Sequence, residues 1–147
     1  MRNILPFLVL AGVAACSLAE DAVTITEAPD LEQSAVWNGS LTGSNGGISG
    51  TATIAEYRAY FNASVTLAGA AANTAYQWRI FAGTCATPGA QFGPAQAYPD
   101  VTTNGSGAAS IERLLAGALI AESEYNVRFS TVATTPVIVA CGNLTRS

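Results

Sequence analysis

Histidine and lysine are both absent from the 147 residues of this chain. Without histidine, the chain cannot build an imidazole-ligated copper or zinc site or a serine–histidine catalytic pair. All six basic residues are arginines, and ten acids outnumber them, for a formal net charge of −4. Because binding to phosphate backbones needs a basic face, we expect no nucleic-acid partner. We also expect no cofactor, since the one Gly-rich segment, at 43–50, precedes no predicted helix.

The N-terminus has the features of an export signal. Arg2 precedes an apolar run at 4–10, which has the length of a signal-peptide core and is too short to span a membrane. Small residues at 13–15 stand directly before Cys16, an arrangement that resembles the lipobox of bacterial lipoproteins. The resemblance implies that residues 1–15 are a signal peptide and that the Cys16 thiol is lipidated. The competing interpretation is an ordinary signal peptide cut after Ala19, which would discard Cys16 and leave a periplasmic or secreted protein.

An acidic segment follows this cysteine. Residues 16–34 show little apolar periodicity and contain five acids, as expected for a solvated tether: Glu20, Asp21, Glu27, Asp30 and Glu32. A mature lipoprotein carries several lipid chains, so the expected membrane anchoring is stable. We therefore predict a lipid-anchored protein of the bacterial cell envelope. The resemblance to bacterial lipoproteins implies the outer rather than the inner membrane, because Ser17 stands directly behind the cysteine.

Residues 35–147 alternate between apolar and polar side chains in short runs. The runs at 59–67, 76–80 and 125–130 have the period of two that is typical of half-buried strands, and clusters of Gly, Asn and Ser separate them as turns. This pattern predicts an all-β domain, a Greek-key antiparallel β-sandwich of about seven strands with an immunoglobulin-like arrangement. The predicted strands lie at roughly 35–42, 48–55, 58–68, 75–82, 107–114, 124–132 and 137–144.

The longest predicted loop runs from residue 82 to residue 106. Loops of this length in compact domains are usually functional or tied down. Cys85 lies near the start of the loop and Cys141 in the last predicted strand, so a disulfide between them would fasten it. The export signal implies the oxidising compartment that such a bridge needs. Two free thiols are the alternative.

Three motifs in this region resemble the copper/zinc superoxide dismutase family. They are Trp-Arg-Ile-Phe-Ala-Gly-Thr-Cys at 78–85, Gly-Ala-Gln-Phe-Gly-Pro at 89–94 and Ala-Cys-Gly at 140–142. That family has a His-x-His strand that runs into Gly-Asp-Cys, a Gly-Pro-His-Phe-Asn-Pro loop and a terminal Ala-Cys-Gly, with its two cysteines joined. The motifs fall between about Trp37 and Leu144, in the family's order and with similar spacing. The resemblance implies a superoxide-dismutase-like sandwich, and the chordin-type repeat is the nearest competitor for the family name.

The metal site of that family does not carry over to this chain. Its two strand copper ligands fall on Trp78 and Ile80, and its metal-bridging histidine falls on Gln91, whose amide is a poor ligand for copper or zinc. Its substrate-guiding arginine falls on Ile138. The resemblance therefore implies a non-catalytic domain with no metal and a binding or structural role. The alternative is an extracytoplasmic enzyme or metal-handling protein of the same family with a site that these motifs do not reveal.

A candidate binding surface lies beside the long loop. It consists of Trp78, Gln91, Phe92 and Tyr98. The three aromatic residues among them belong to a set of aromatics that is large for so small a domain. Packing in the core or within the loop is the competing interpretation for each ring. Besides the membrane, an envelope protein or a glycan is the partner that we expect for such a surface.

Overall fold

The computed structural model describes residues 32–147. The predicted signal peptide, Cys16 and most of the predicted tether lie outside the described residues. Within 32–147, no helix is long and apolar enough to cross a membrane.

The described chain forms nine strands and no α-helix. All seven predicted strands are present, and the long loop contributes two further short strands and one 3-10 turn at Ala95–Ala97. The segment that follows residue 110, which has the Leu and Ala content of a helix, continues as a strand to Ala116. The strands are β1 (Ala35–Gly43), β2 (Ser49–Glu56), β3 (Tyr60–Ala68), β4 (Ala75–Gly83), β5 (Pro88–Gln91), β6 (Val101–Thr102), β7 (Ala109–Ala116), β8 (Tyr125–Thr131) and β9 (Ile138–Arg146).

All strand pairs are antiparallel and belong to one sheet in the order β5-β4-β8-β9-β1-β2-β3-β7, with β6 paired to β4. The sheet curls into a half-barrel, which confirms the predicted all-β, sandwich-like fold class. Its two edge strands are β5 and β7. The half-barrel therefore has an open side between these edges, and the long loop lies there.

The core is built from the inward positions of the alternating strands. In β3, Phe61, Ala63, Val65 and Leu67 are all buried, while the intervening side chains face outward. Trp37, Trp78 and Phe129 are the large aromatic side chains of β1, β4 and β8 in the same core. Each buried aromatic side chain removes about 150–250 Å² from water, so these rings are the main contributors to hydrophobic stability.

The predicted disulfide is present. Cys85 and Cys141 are bonded, and the bridge joins the start of the long loop to β9 across 56 residues of sequence. The Cys85 N–H also donates to the Asn143 side-chain oxygen of β9 at 2.7 Å. The beginning of the loop is thus fixed to the outer face of the sheet by one covalent and one hydrogen bond.

We predict that breaking this bridge lowers the free energy of unfolding by about 4 kcal/mol, because a closed loop of this length restricts the unfolded chain. Urea denaturation of the mature protein with and without reductant measures the change. The double variant Cys85→Ser, Cys141→Ser is the control, and its midpoint should not respond to reductant. Identical midpoints for the oxidised and reduced wild type would contradict the prediction.

Candidate functional site

The four residues of the sequence-predicted surface do not come together. Trp78 is fully buried, at an inward position of β4 opposite Phe129, and its indole N–H donates to the Pro99 carbonyl. Trp78 is therefore a core residue, and its assignment to a binding surface was wrong. Gln91 faces the outer side of β4, whereas Phe92 and Tyr98 line a groove on the open side of the half-barrel.

That groove, which we call the loop groove, has a volume of about 360 Å³ and lies between the long loop and the edge strand β7. Its lining consists of residues 92–94, 96–99 and 113–116. Two prolines and the Phe92 ring form the loop side, and Leu114 and Leu115 form the β7 side. The groove is mostly apolar.

Aromatic packing fixes the loop side of this groove. The Tyr98 ring packs edge-on against Trp78, with the ring centroids 5.0 Å apart, and its hydroxyl donates to the Phe92 carbonyl at 2.6 Å. Phe92 packs in turn against Phe61 and Tyr125, at centroid distances of 5.2 and 6.3 Å. Because these contacts join the loop to the core, the groove is formed by packed side chains and does not depend on a ligand for its shape.

The environment of the buried Tyr98 hydroxyl displaces its titration. Burial raises the pKa of its hydroxyl from 10.0 to about 12, although the nearby Arg79 guanidinium acts in the opposite direction. Only 2% of the Tyr98 residue is exposed. Its hydroxyl therefore stays protonated and keeps its hydrogen bond at every physiological pH.

Among the described residues, Arg113 is the only charged one that lines the loop groove. It occupies an inward position of β7, between Ile111 and Leu115, yet it is exposed because the core is open at this edge. Leu114 is also exposed, at 65%. Sequence reasoning missed both residues. The sequence does contain one indication of them. An arginine at an inward position of an alternating strand indicates that the inward face of the strand reaches solvent there.

Gln91 lies in a second groove, on the outer face of β4 and β8, which we call the arginine groove. Its lining residues are Gln77, Arg79, Phe81, Gln91, Ala95, Arg128, Ser130, Pro136 and Ile138. The volume of this groove is about 280 Å³. It shares no lining residue with the loop groove.

The copper and zinc chemistry of the superoxide dismutase family does not fit the residues at the positions where that family has its ligands. Trp78 and Ile80, on which the strand ligands fall, both point into the core. The β4 side chains that face Gln91 across the arginine groove are Gln77, Arg79 and Phe81. Two guanidinium groups in this groove repel a metal cation, and amides are weak ligands beside imidazole. Within residues 32–147, no three His, Cys, Asp or Glu side chains are grouped so that they could hold a metal ion.

Glu56 is the only buried acid among the described residues, and its contacts are structural. One carboxylate oxygen accepts a hydrogen bond from the Leu119 N–H at 3.1 Å, and the other accepts from the Trp37 indole N–H at 3.5 Å. The carboxylate thereby joins the end of β2 to β1 and to the loop after β7. It faces neither groove.

Comparison of the chain with protein-family models, with curated proteins and with solved structures found no match. The family resemblance therefore stays a prediction that the three motifs carry.

We predict that the stability of the protein declines between pH 10 and pH 12 because of Tyr98. Below pH 10 the hydroxyl is protonated in both the folded and the unfolded chain; above it, the unfolded chain loses the proton first. The free energy of unfolding should then fall by about 2 kcal/mol by pH 12.

Urea denaturation across this pH range, in wild type and Tyr98→Phe, checks the prediction. The variant should be less stable at neutral pH, because the Phe92 carbonyl loses its donor, and its further decline above pH 10 should be smaller than that of the wild type. Tyr57→Phe, at a half-buried tyrosine that stacks on Tyr60 and does not contact Tyr98, is the control and should decline as the wild type does. Parallel pH profiles for all three proteins would exclude Tyr98 as the cause.

Proposed function

We propose that this protein is a non-catalytic, superoxide-dismutase-like binding domain held on the bacterial cell envelope by a lipidated Cys16. We propose further that it binds an extended segment of an envelope protein along β7, through the loop groove. The observation that carries this proposal is the position of the groove directly beside the edge of the sheet.

The edge strand β7 offers main-chain groups for such a segment. Among the described strands, β7 pairs only with β3, along its full length from Ala109 to Ala116. An unpaired strand edge can accept the backbone of a partner as a further strand, while pockets beside it receive alternate side chains of that partner. Residues 113–116 of β7 line the groove, so backbone pairing and side-chain insertion would occur at the same place.

The composition of the loop groove indicates the chemistry of the partner. Its apolar lining suits apolar side chains, and Arg113 is the only charged residue in the described part of that lining. An acidic side chain in the bound segment would pair with the Arg113 guanidinium, which binds carboxylates through two parallel hydrogen bonds. A glycan is the weaker candidate, because Tyr98 is buried and cannot offer the face of its ring for sugar stacking.

The donor set of the described residues supports a non-catalytic role. The chain has no histidine, and Cys85 and Cys141 are joined to each other. Within residues 32–147, neither groove has an acid in its lining, so these residues supply neither groove with a carboxylate pair or a carboxylate general base. Binding is the activity that these side chains support.

The disulfide and the N-terminal sequence together support an envelope location. A structural disulfide persists in the oxidising compartments outside the cytoplasm. The lipobox-like segment before Cys16 predicts both export and anchoring.

We predict that a photo-crosslinking amino acid at Leu114 captures a protein partner in intact envelopes, because this side chain is exposed beside the groove. The same probe at Thr51, on the outer face of β2, is the control and should give no such product. Protease digestion of the product identifies the partner as protein. A protease-resistant product that a glycosidase degrades would instead indicate a glycan.

A charge reversal at Arg113 tests whether its guanidinium pairs with an acidic side chain of the partner. Arg113→Glu should lower the crosslink yield from position 114 about tenfold, since the loss of one charge-assisted contact weakens binding by that order. Arg58→Glu, at an exposed arginine outside the groove lining, should retain the yield. Equal yields in the two variants would contradict the assigned site, provided that their thermal midpoints are alike.

We predict that Cys16 carries the lipid. Cells that express the wild type and grow with a palmitate analogue should yield labelled protein, and Cys16→Ala should abolish the label because no thiol remains for acylation. The Cys85→Ser, Cys141→Ser double variant is the matched control and should keep it. A label that persists in Cys16→Ala would contradict the lipoprotein assignment.

A further inference from the structure

Two arginines lie directly opposite each other on the outer face of the sheet. Arg79 of β4 and Arg128 of β8 are partners in the strand register, and both are half-buried in the arginine groove. Like charges in directly opposed positions destabilise a sheet. None of the described residues that line this groove is acidic, so no carboxylate of the lining offsets the two positive charges.

The neighbouring loop holds the Arg79 guanidinium in place. Its Nη1 donates to the Trp78 carbonyl at 3.0 Å and to the Tyr98 carbonyl at 3.2 Å, and the group lies 5.7 Å from the centre of the Tyr98 ring. A guanidinium has five N–H donors, so 5 − 2 = 3 donors, on Nε and Nη2, have no partner in these contacts.

The disulfide region holds the Arg128 guanidinium in a similar way. Its Nη2 donates to the carbonyls of Thr84 and Cys85, at 3.3 and 2.8 Å, and its Nε donates to the Asn126 side-chain oxygen at 2.8 Å. The group also lies 5.4 Å from the centre of the Phe81 ring. These bonds use three donors, which leaves 5 − 3 = 2, both on Nη1.

Neutral polar side chains complete the lining. The Gln91 side-chain nitrogen donates to the Gly93 carbonyl at 3.0 Å, which fixes this amide at the rim of the groove. Gln77 and Ser130 are directly opposed in the register of β4 and β8, one pair along from the arginines. The groove therefore combines two fixed positive charges with amide and hydroxyl donors.

We propose that the arginine groove binds a tetrahedral oxyanion, a phosphate or sulfate group. A carboxylate presents two oxygens and is satisfied by one guanidinium fork, whereas a tetrahedral anion presents oxygens in several directions and can accept from two forks and a side-chain amide together. The bound anion also removes the repulsion between Arg79 and Arg128. This site lies outside the loop groove and is independent of the protein partner proposed there.

Thermal denaturation of the mature protein in different anions tests the proposal. At equal ionic strength, sodium phosphate and sodium sulfate should raise the midpoint above its value in sodium chloride, by about 5 °C at a concentration tenfold above the Kd. Sodium acetate should match chloride. An equal rise in acetate would overturn the assignment of a tetrahedral anion, and no rise in phosphate or sulfate would overturn the site itself.

Substitutions locate the effect. Arg79→Gln should abolish the phosphate-dependent rise, and Arg79→Lys should weaken phosphate binding at least tenfold, because it keeps the charge and loses the planar fork. Arg146→Gln, at an exposed arginine near the end of β9, is the control and should respond as the wild type does. A full response in Arg79→Gln would exclude the groove as the binding site.

A measurement on the wild type avoids any effect of substitution on folding. In ¹⁵N spectra, phosphate titration should shift the Nε–H signals of Arg79 and Arg128 and leave that of Arg146 in place. Methyl phosphate is the second ligand: binding equal to that of inorganic phosphate indicates a phosphate carried on a larger molecule, and tenfold weaker binding indicates the free ion. Shifts of all arginine signals together would show nonspecific screening and overturn the proposal.

Discussion

The packing of the long loop onto the open side of the half-barrel is the constraint on which both grooves depend. A single curled sheet leaves its core uncovered between β5 and β7, and exposed apolar surface of that size is unfavourable. Phe92 and Tyr98 cover this gap by packing against Phe61 and Trp78. The loop groove is the space that remains between this cover and β7. Phe92 and Tyr98, whose rings pack against the core, therefore also form part of the wall of the solvent-facing loop groove.

The same cover links the two grooves. The Tyr98 side chain lies under the loop groove, while its carbonyl accepts a hydrogen bond from Arg79 of the arginine groove. In the neighbouring strand β8, Asn126 is fully buried, and its side-chain oxygen accepts a hydrogen bond from Arg128. Each guanidinium is thus held by groups that also secure the loop to the sheet.

Much of the fold could be predicted from the sequence, because its information is local. The period-two pattern gave all seven long strands to within two residues at each end, and the setting of Cys85 and Cys141 indicated their bridge. The candidate site was harder to predict. Trp78 and Phe81 place large rings on both faces of β4, so the sequence alone does not show which ring is buried. Arg79 and Arg128 meet only through the register of two strands that are distant in sequence. The pairing of two strands that are distant in sequence cannot be recognised from the residues of either strand alone.

The bond between Cys85 and Cys141 determines when the arginine groove is complete. Arg128 is oriented by the carbonyls of Thr84 and Cys85, and these stand where they do because Cys85 is tethered to β9. In a reducing compartment this tether is absent, and the segment loses the restraint that presents its carbonyls to Arg128. The groove is therefore complete only once the two cysteines are oxidised.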